Sequence, residues 1–213
     1  MKIKGKLVRS LTPVAEELAI DIIDQTALPH AYRLLRLRSL DAAAHAIRVM
    51  QVRGAPLIGV TAAYGLAMAL HQDASDGTLN EAVTQLGATR PTAVNLHWAL
   101  ARMQSLLHPL PVAQRAAAAW QEATRIAEED AEQCRCIGEH GLNHLRTLPK
   151  KASRLNLMTH CNAGWLATIA HGTALAPIYA AADAGLDVHV WVSETRPRNQ
   201  GLLTAWELKQ LGI

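Results

Sequence analysis

The sequence predicts an α/β protein in two parts. A mainly helical N-terminal domain over residues 1–150 precedes the first part of a Rossmann-like parallel α/β domain over residues 151–213, with its sheet incomplete. Three observations predict this. Long alanine- and leucine-rich segments with helix-start signals fill the chain up to Leu148. Pro149-Lys150-Lys151 interrupts that pattern. Beyond it, short β-branched or apolar runs alternate with helical ones in a strand–helix–strand–helix order, the opening of a parallel sheet.

Residues 2–9 alternate basic and apolar side chains and predict a short strand, and Asp24-Gln25 with Leu28-Pro29 marks a turn region. Ser39 or Asp41 suits the cap of a helix through Ala42, Ala46, Ile47 and Met50. Pro56 is placed for the first turn of the next helix, after Arg53-Gly54-Ala55. Residues 80–86 are helical in pattern; Thr92 or Asn95 can begin the helix after Arg90-Pro91; residues 112–148 form the longest helical stretch, with Gly138 and Gly141 as places for a break. In the second domain the expected elements are a strand over 154–159, a helix over 164–184 stopped by Gly185, a strand over 187–192 and a helix over 202–211. A parallel sheet usually has more than two strands, so the sequence is expected to be cut short at Ile213.

Half of the 213 residues are hydrophobic, enough for a substantial core, and a formal charge of +3 with scattered Lys and Arg argues against a nucleic-acid partner. Three cysteines in no regular spacing argue against a disulfide framework and for a reducing, cytoplasmic setting. The N-terminus lacks the apolar run of a signal peptide. Residues 54–70 fall slightly short of the ~20 apolar residues of a membrane span. Residues 162–182 are longer but hold Asn162, His171 and Pro177, so both read as buried helices rather than as membrane segments.

The densest chemistry lies at Thr159-His160-Cys161-Asn162-Ala163-Gly164, a strand-to-helix turn carrying a thiol. Open α/β sheets bind ligands at this edge, and a helix start there would favour thiolate; the plain alternative is a buried, inert cysteine. Arg53-Gly54-Ala55 offers a guanidinium fork, close backbone approach and free helical N–H groups to a phosphate, though an arginine at a helix end is often structural. Arg90-Pro91-Thr92-Ala93-Val94-Asn95 joins a cation to a rigid turn, or is simply a well-built helix start. Glu194-Thr195-Arg196-Pro197-Arg198-Asn199-Gln200-Gly201 follows the second strand, at the same sheet edge as Cys161, and suits an anionic, polyoxygenated ligand as well as a solvated loop. Cys134, Cys136, His140 and His144 hint at zinc, but neighbours at i and i+2 diverge on a helix, and no metal is expected. Neither GxGxxG nor GxxxxGK[ST] occurs, so no cofactor is implied.

Together these stretches resemble the methylthioribose-1-phosphate isomerases, relatives of the regulatory subunits of eukaryotic translation initiation factor 2B. The match runs through residues 52–59, 89–96, 159–164 and 194–201, with Asp24-Gln25 and Leu203-Thr204-Ala205-Trp206-Glu207-Leu208 also fitting. The resemblance implies an aldose–ketose isomerase of methionine salvage that converts 5-methylthioribose 1-phosphate to 5-methylthioribulose 1-phosphate. It implies a catalytic role for Cys161 and substrate contacts from Arg53, Gly54, Ala55, Arg90 and Gln200. It also implies a sugar phosphate as the partner and a homodimer that a cut chain would form poorly. The family's catalytic aspartate, an Asn-Lys pair and the remaining strands are expected beyond Ile213. Two alternatives stand beside this reading: a ribose-1,5-bisphosphate isomerase, and a non-catalytic assembly module like the initiation-factor relatives.

Overall fold

In a computed structural model, residues 2–3, 6–148 and 154–213 are described. The expected boundary at Pro149-Lys150-Lys151 lies outside them. The fold is mixed α/β, and the chain forms two compact units, one of residues 11–27 and 32–129, the other of residues 1–10, 28–31 and 130–213.

The unit of residues 11–27 and 32–129 opens with an antiparallel sheet in the order β3-β4-β5, from β3 (Leu11–Val14), β4 (Ala19–Ile23) and β5 (Leu34–Leu37). The sequence reading missed these strands. Pro13 breaks the strand pattern and is tolerated because β3 is an edge. Ile20 and Ile22 point into the core, while Asp21 turns outward and accepts two bonds from Arg36, directly opposite on β5, at 2.7 and 2.8 Å.

Helices α1 (Leu40–Arg48), α2 (Ala55–Gln72), α3 (Asp76–Gly87) and α4 (Val94–Leu107) follow. Ser39 caps α1 as expected, its hydroxyl accepting from the Ala42 N–H at 3.1 Å. Helix α2 is apolar all round, and every residue from Leu57 to Leu70 is buried, which is how a core helix rather than an amphipathic one behaves. No helix among the described residues is long and apolar enough to cross a membrane. Two glycines let the neighbours of α2 approach closely. A Cβ on Gly59 would stand 2.8 Å from the Asn95 carbonyl of α4, and one on Gly65 would stand 2.9 Å from Ala43 of α1. Helix α4 starts at an Ala93 cap that makes no side-chain bond, so neither Thr92 nor Asn95 plays the capping part expected of it. Helix α5 (Val112–Thr147) runs unbroken for 36 residues. Gly138 and Gly141 do not break it; they face Ala176 and Pro177, where a Cβ would crowd.

The second unit holds the two-residue strands β1 (Lys2–Ile3) and β2 (Lys6–Leu7), paired antiparallel where one strand was expected. Its parallel pair is β6 (Leu155–His160) and β7 (Val188–Ser193), in register from Leu155 opposite Val188 to His160 opposite Ser193. Helix α6 (Ala176–Asp183) joins them and α7 (Gln200–Gln210) follows. The helix expected over 164–184 is only half present. Residues Trp165–Ala167 make a single 3-10 turn, and α6 begins nine residues later. The Thr168 hydroxyl donates to the Ala170 carbonyl at 2.9 Å and accepts the Gly172 N–H at 3.2 Å, which ends the turn. His171 and Gly172 are both left-handed and redirect the chain, and a Cβ on Gly172 would stand 2.5 Å from the Gly164 carbonyl carbon.

Candidate functional site

Cys161 is the first residue past β6, at the carboxyl edge of the parallel pair, as its sequence position implies. It is half-buried and left-handed, with φ 63°. An L residue adopts that conformation only when its surroundings hold it. Its N–H donates to the Ser193 carbonyl at 3.1 Å, and its own carbonyl accepts from the Thr204 hydroxyl at 2.7 Å.

The helix start expected behind this thiol is replaced. A 3-10 turn stands there instead, and the first N–H groups after Gly164, those of Trp165 and Leu166, donate to the Glu207 carboxylate of α7 at 3.0 and 3.2 Å. An acidic side chain of α7 thus takes the first N–H groups of the segment after Gly164. Glu207 is fully buried and also accepts from the Asn162 amide at 2.8 Å and the Tyr179 hydroxyl at 2.5 Å. Burial pushes its carboxyl above the usual range, against the pull of these donors, and pushes the Tyr179 phenol well above its own. Glu207 was not singled out by itself in the sequence; the available signal was the one acid of α7, three residues after Thr204 and so on its face.

The loop after β7 is tied to the same helix. The Glu194 carboxylate accepts from Thr195 N–H at 2.7 Å and Gly201 N–H at 2.6 Å, which keeps its own pKa low despite partial desolvation. Gln200 opens α7, one turn before Thr204, so the two share a helix face. The Gln200 Oε1 and Thr195 Oγ1 atoms are buried without a hydrogen-bond partner among the described residues. Arg196 and Arg198 are exposed, and Arg196 donates to the Asn199 side chain at 3.0 Å.

The other predicted residues lie in the unit of residues 11–27 and 32–129. Arg53 is buried, and Gly54, with φ 91°, takes a conformation that suits glycine and begins α2 with no side-chain cap. Ala55 is exposed at the first turn, beside Pro56. Arg90 is half-buried, and its carbonyl accepts the Ala93 N–H at 2.9 Å in the turn that leads to α4. Since Gly59 abuts Asn95, the starts of α2 and α4 stand side by side, each without a side-chain cap and each preceded by an arginine. Uncapped helix N-termini are a general kind of anion-binding feature. Gln25, singled out in the sequence, donates its N–H to the Gln51 carbonyl at 3.0 Å, two residues before Arg53.

The zinc-like spacing assembles nothing. Cys134 is buried beside Asp130, with Sγ 4.0 Å from Oδ1, while Cys136 turns to Glu132. Among the described residues no group of three or more His, Cys, Asp or Glu side chains is placed to hold a metal ion.

Comparison with known proteins agrees with these motifs. The chain is 64% identical over its whole length to a methylthioribose-1-phosphate isomerase of Dechloromonas aromatica and 59% identical to one of Methylorubrum populi. It spans 59% of the length of each. The crystal structure of 5-methylthioribose 1-phosphate isomerase from Pyrococcus horikoshii superposes on all of the chain with a TM-score of 0.85 at 33% identity, the match taking in 62% of that protein. The delta subunit of translation initiation factor eIF-2B from A. fulgidus superposes on 97% of the chain with a TM-score of 0.82 at 36% identity, over 61% of its own length. The family model for the initiation factor 2 subunit family matches residues 51–213, from the turn before α2 to the last residue, and the chain belongs to that family.

Proposed function

We propose that the protein is an aldose–ketose isomerase that converts 5-methylthioribose 1-phosphate to 5-methylthioribulose 1-phosphate, a step of methionine salvage. The observation that carries this reading is Cys161, a half-buried cysteine whose backbone is pinned at a sheet edge, in a chain so similar to isomerases of that name. A phosphate on the anomeric oxygen blocks spontaneous ring opening, so the site must assist it. In the net reaction the C1–ring-oxygen bond breaks and the ring oxygen gains a proton. Hydrogen moves from C2 to C1, and the C2 hydroxyl loses its proton. Cys161 is the group we assign to proton transfer. Arg53, Gly54 and Ala55, with Arg90, are the groups we assign to the phosphate, and Gln200 to a sugar hydroxyl. The hydrogen moves within the substrate, so the chemistry calls for no cofactor.

The test is turnover of 5-methylthioribose 1-phosphate, followed as ketose formation, together with binding of the same compound by calorimetry. Cys161→Ser should lower turnover by about 10²-fold or more while binding persists, and Arg90→Ala should weaken binding. A folded chain that neither binds nor turns over this sugar phosphate overturns the proposal. A second reading, an assembly module, draws support from the likeness to the initiation-factor subunit; it expects complex formation with no turnover. A homodimer in the cytoplasm accompanies the isomerase reading, and sedimentation checks the dimer.

A further inference from the structure

The hydrogen bonds around Glu207 close on one another. The two hydrogens of the Asn162 amide go to Thr204 Oγ1 at 3.0 Å and Glu207 Oε1 at 2.8 Å. The Thr204 hydroxyl, having accepted one of them, donates its own hydrogen to the Cys161 carbonyl at 2.7 Å. Glu207 Oε1 also takes the Leu166 N–H, and Oε2 takes the Trp165 N–H and the Tyr179 hydroxyl. Four donors thus converge on one fully buried carboxylate, which uses its whole accepting capacity. The chain makes room for it: a Cβ on Gly164 would overlap Oε2. A glutamine of the same shape would set its NH2 against donors on one side and leave a buried N–H unpaired.

We propose that Glu207, acting through Asn162 and Thr204, is the positioning residue that holds Cys161 in its left-handed conformation and so sets where the thiol stands at the sheet edge. Thr204 and Glu207, three residues apart on α7, reach the Cys161 turn from a single helix face. The turn is gripped from β7 through Ser193 and from α7 through Thr204. The catalytic meaning of this grip rests on the isomerase reading; the grip itself does not.

The experiment is site-resolved alkylation with iodoacetamide at one fixed pH, read by mass spectrometry of the Cys161 and Cys134 peptides. Cys134, buried in the same unit, reports general loosening of the fold. Thr204→Val removes the relay at constant shape, Thr204→Ser restores the hydroxyl, and Glu207→Gln removes the anchor. Labelling of Cys161 should quicken roughly tenfold in Thr204→Val and Glu207→Gln, as a left-handed residue is released. It should return to the wild-type rate in Thr204→Ser, with Cys134 unchanged throughout. Wild-type Cys161 labelling in Thr204→Val, or acceleration of Cys134 in step with Cys161, overturns the proposal. The Thr204 pair tests the last link of the relay even where Glu207→Gln does not fold, and wild-type Cys161 labelling in a folded Glu207→Gln also overturns the proposal. Labelling consumes no substrate, so a chain without turnover in which Cys161 responds as expected sinks the isomerase reading and supports the positioning role.

Discussion

Asp130 and Cys134 stand one helical turn apart on α5, and both are forced toward their neutral forms by burial. Asp130 is relieved by the Ile169 N–H, which donates to it at 2.7 Å; for Cys134, burial and the neighbouring Asp130 outweigh a hydrogen bond with Thr168 and push its thiol up to about 12. The sign of the consequence follows. The folded state holds the Cys134 proton more tightly than the unfolded chain, whose thiol titrates near 9. The stability this contributes is present in full below pH 9 and is lost as pH climbs from there toward 12. Thermal unfolding of wild type and Cys134→Ala should therefore show a wild-type advantage that is constant at neutral pH and shrinks on the alkaline side. A difference in Tm that stays flat through that range would contradict the assignment. The other alkaline titrations are common to both proteins and cancel in the difference.

Among the elements, α2 and α7 show how a helix serves a site. Each carries a predicted functional residue at or just before its start, and each is held by contacts that its own segment does not reveal. Helix α2 keeps its start beside that of α4 only because Gly59 has no side chain. A methyl group there meets the backbone oxygen of Asn95, which cannot rotate away as a side-chain tip would. Gly59→Ala should cost about 1–3 kcal/mol by overpacking, more than the gain in helix propensity returns, and denaturant unfolding measures the balance. A stabilised Gly59→Ala would mean that α2 and α4 separate more easily than their contact implies. The same logic explains the helix that failed over 164–184. Alanine and leucine dominate its composition, yet His171 and Gly172 are both left-handed and turn the chain before α6, and Gly172 packs on Gly164. Local propensity is a weak prior beside a left-handed pair of residues that tertiary packing holds in place.

Taken whole, the molecule distributes its burial unevenly. Helix α2 is enclosed along fourteen consecutive residues, whereas the β6–β7 pair leaves Met158 and Trp191, opposite one another in register, largely exposed. Hydrogen exchange should accordingly find the slowest amides between Leu57 and Leu70 and much faster ones in β6 and β7. Equal protection of the two regions would be the contrary result. Much of this organisation was legible beforehand. The order of motifs, the apolar helix after Arg53, the strand leading into Cys161 and the arginine before α4 follow from residue type and spacing, because periodicity and capping act within a few residues. The sheet of β3, β4 and β5 was not legible, since Pro13 and the short alternation of residues 19–23 look like connecting chain until the strands pair. By itself the sequence determined the lineage, the residues worth testing and the class of fold. Tertiary structure alone decided that Thr204 and Glu207 would grip the Cys161 turn and that the starts of α2 and α4 would stand together. Those contacts join positions far apart in the chain, and a pattern read along the sequence carries no record of which distant donor a buried acceptor will meet.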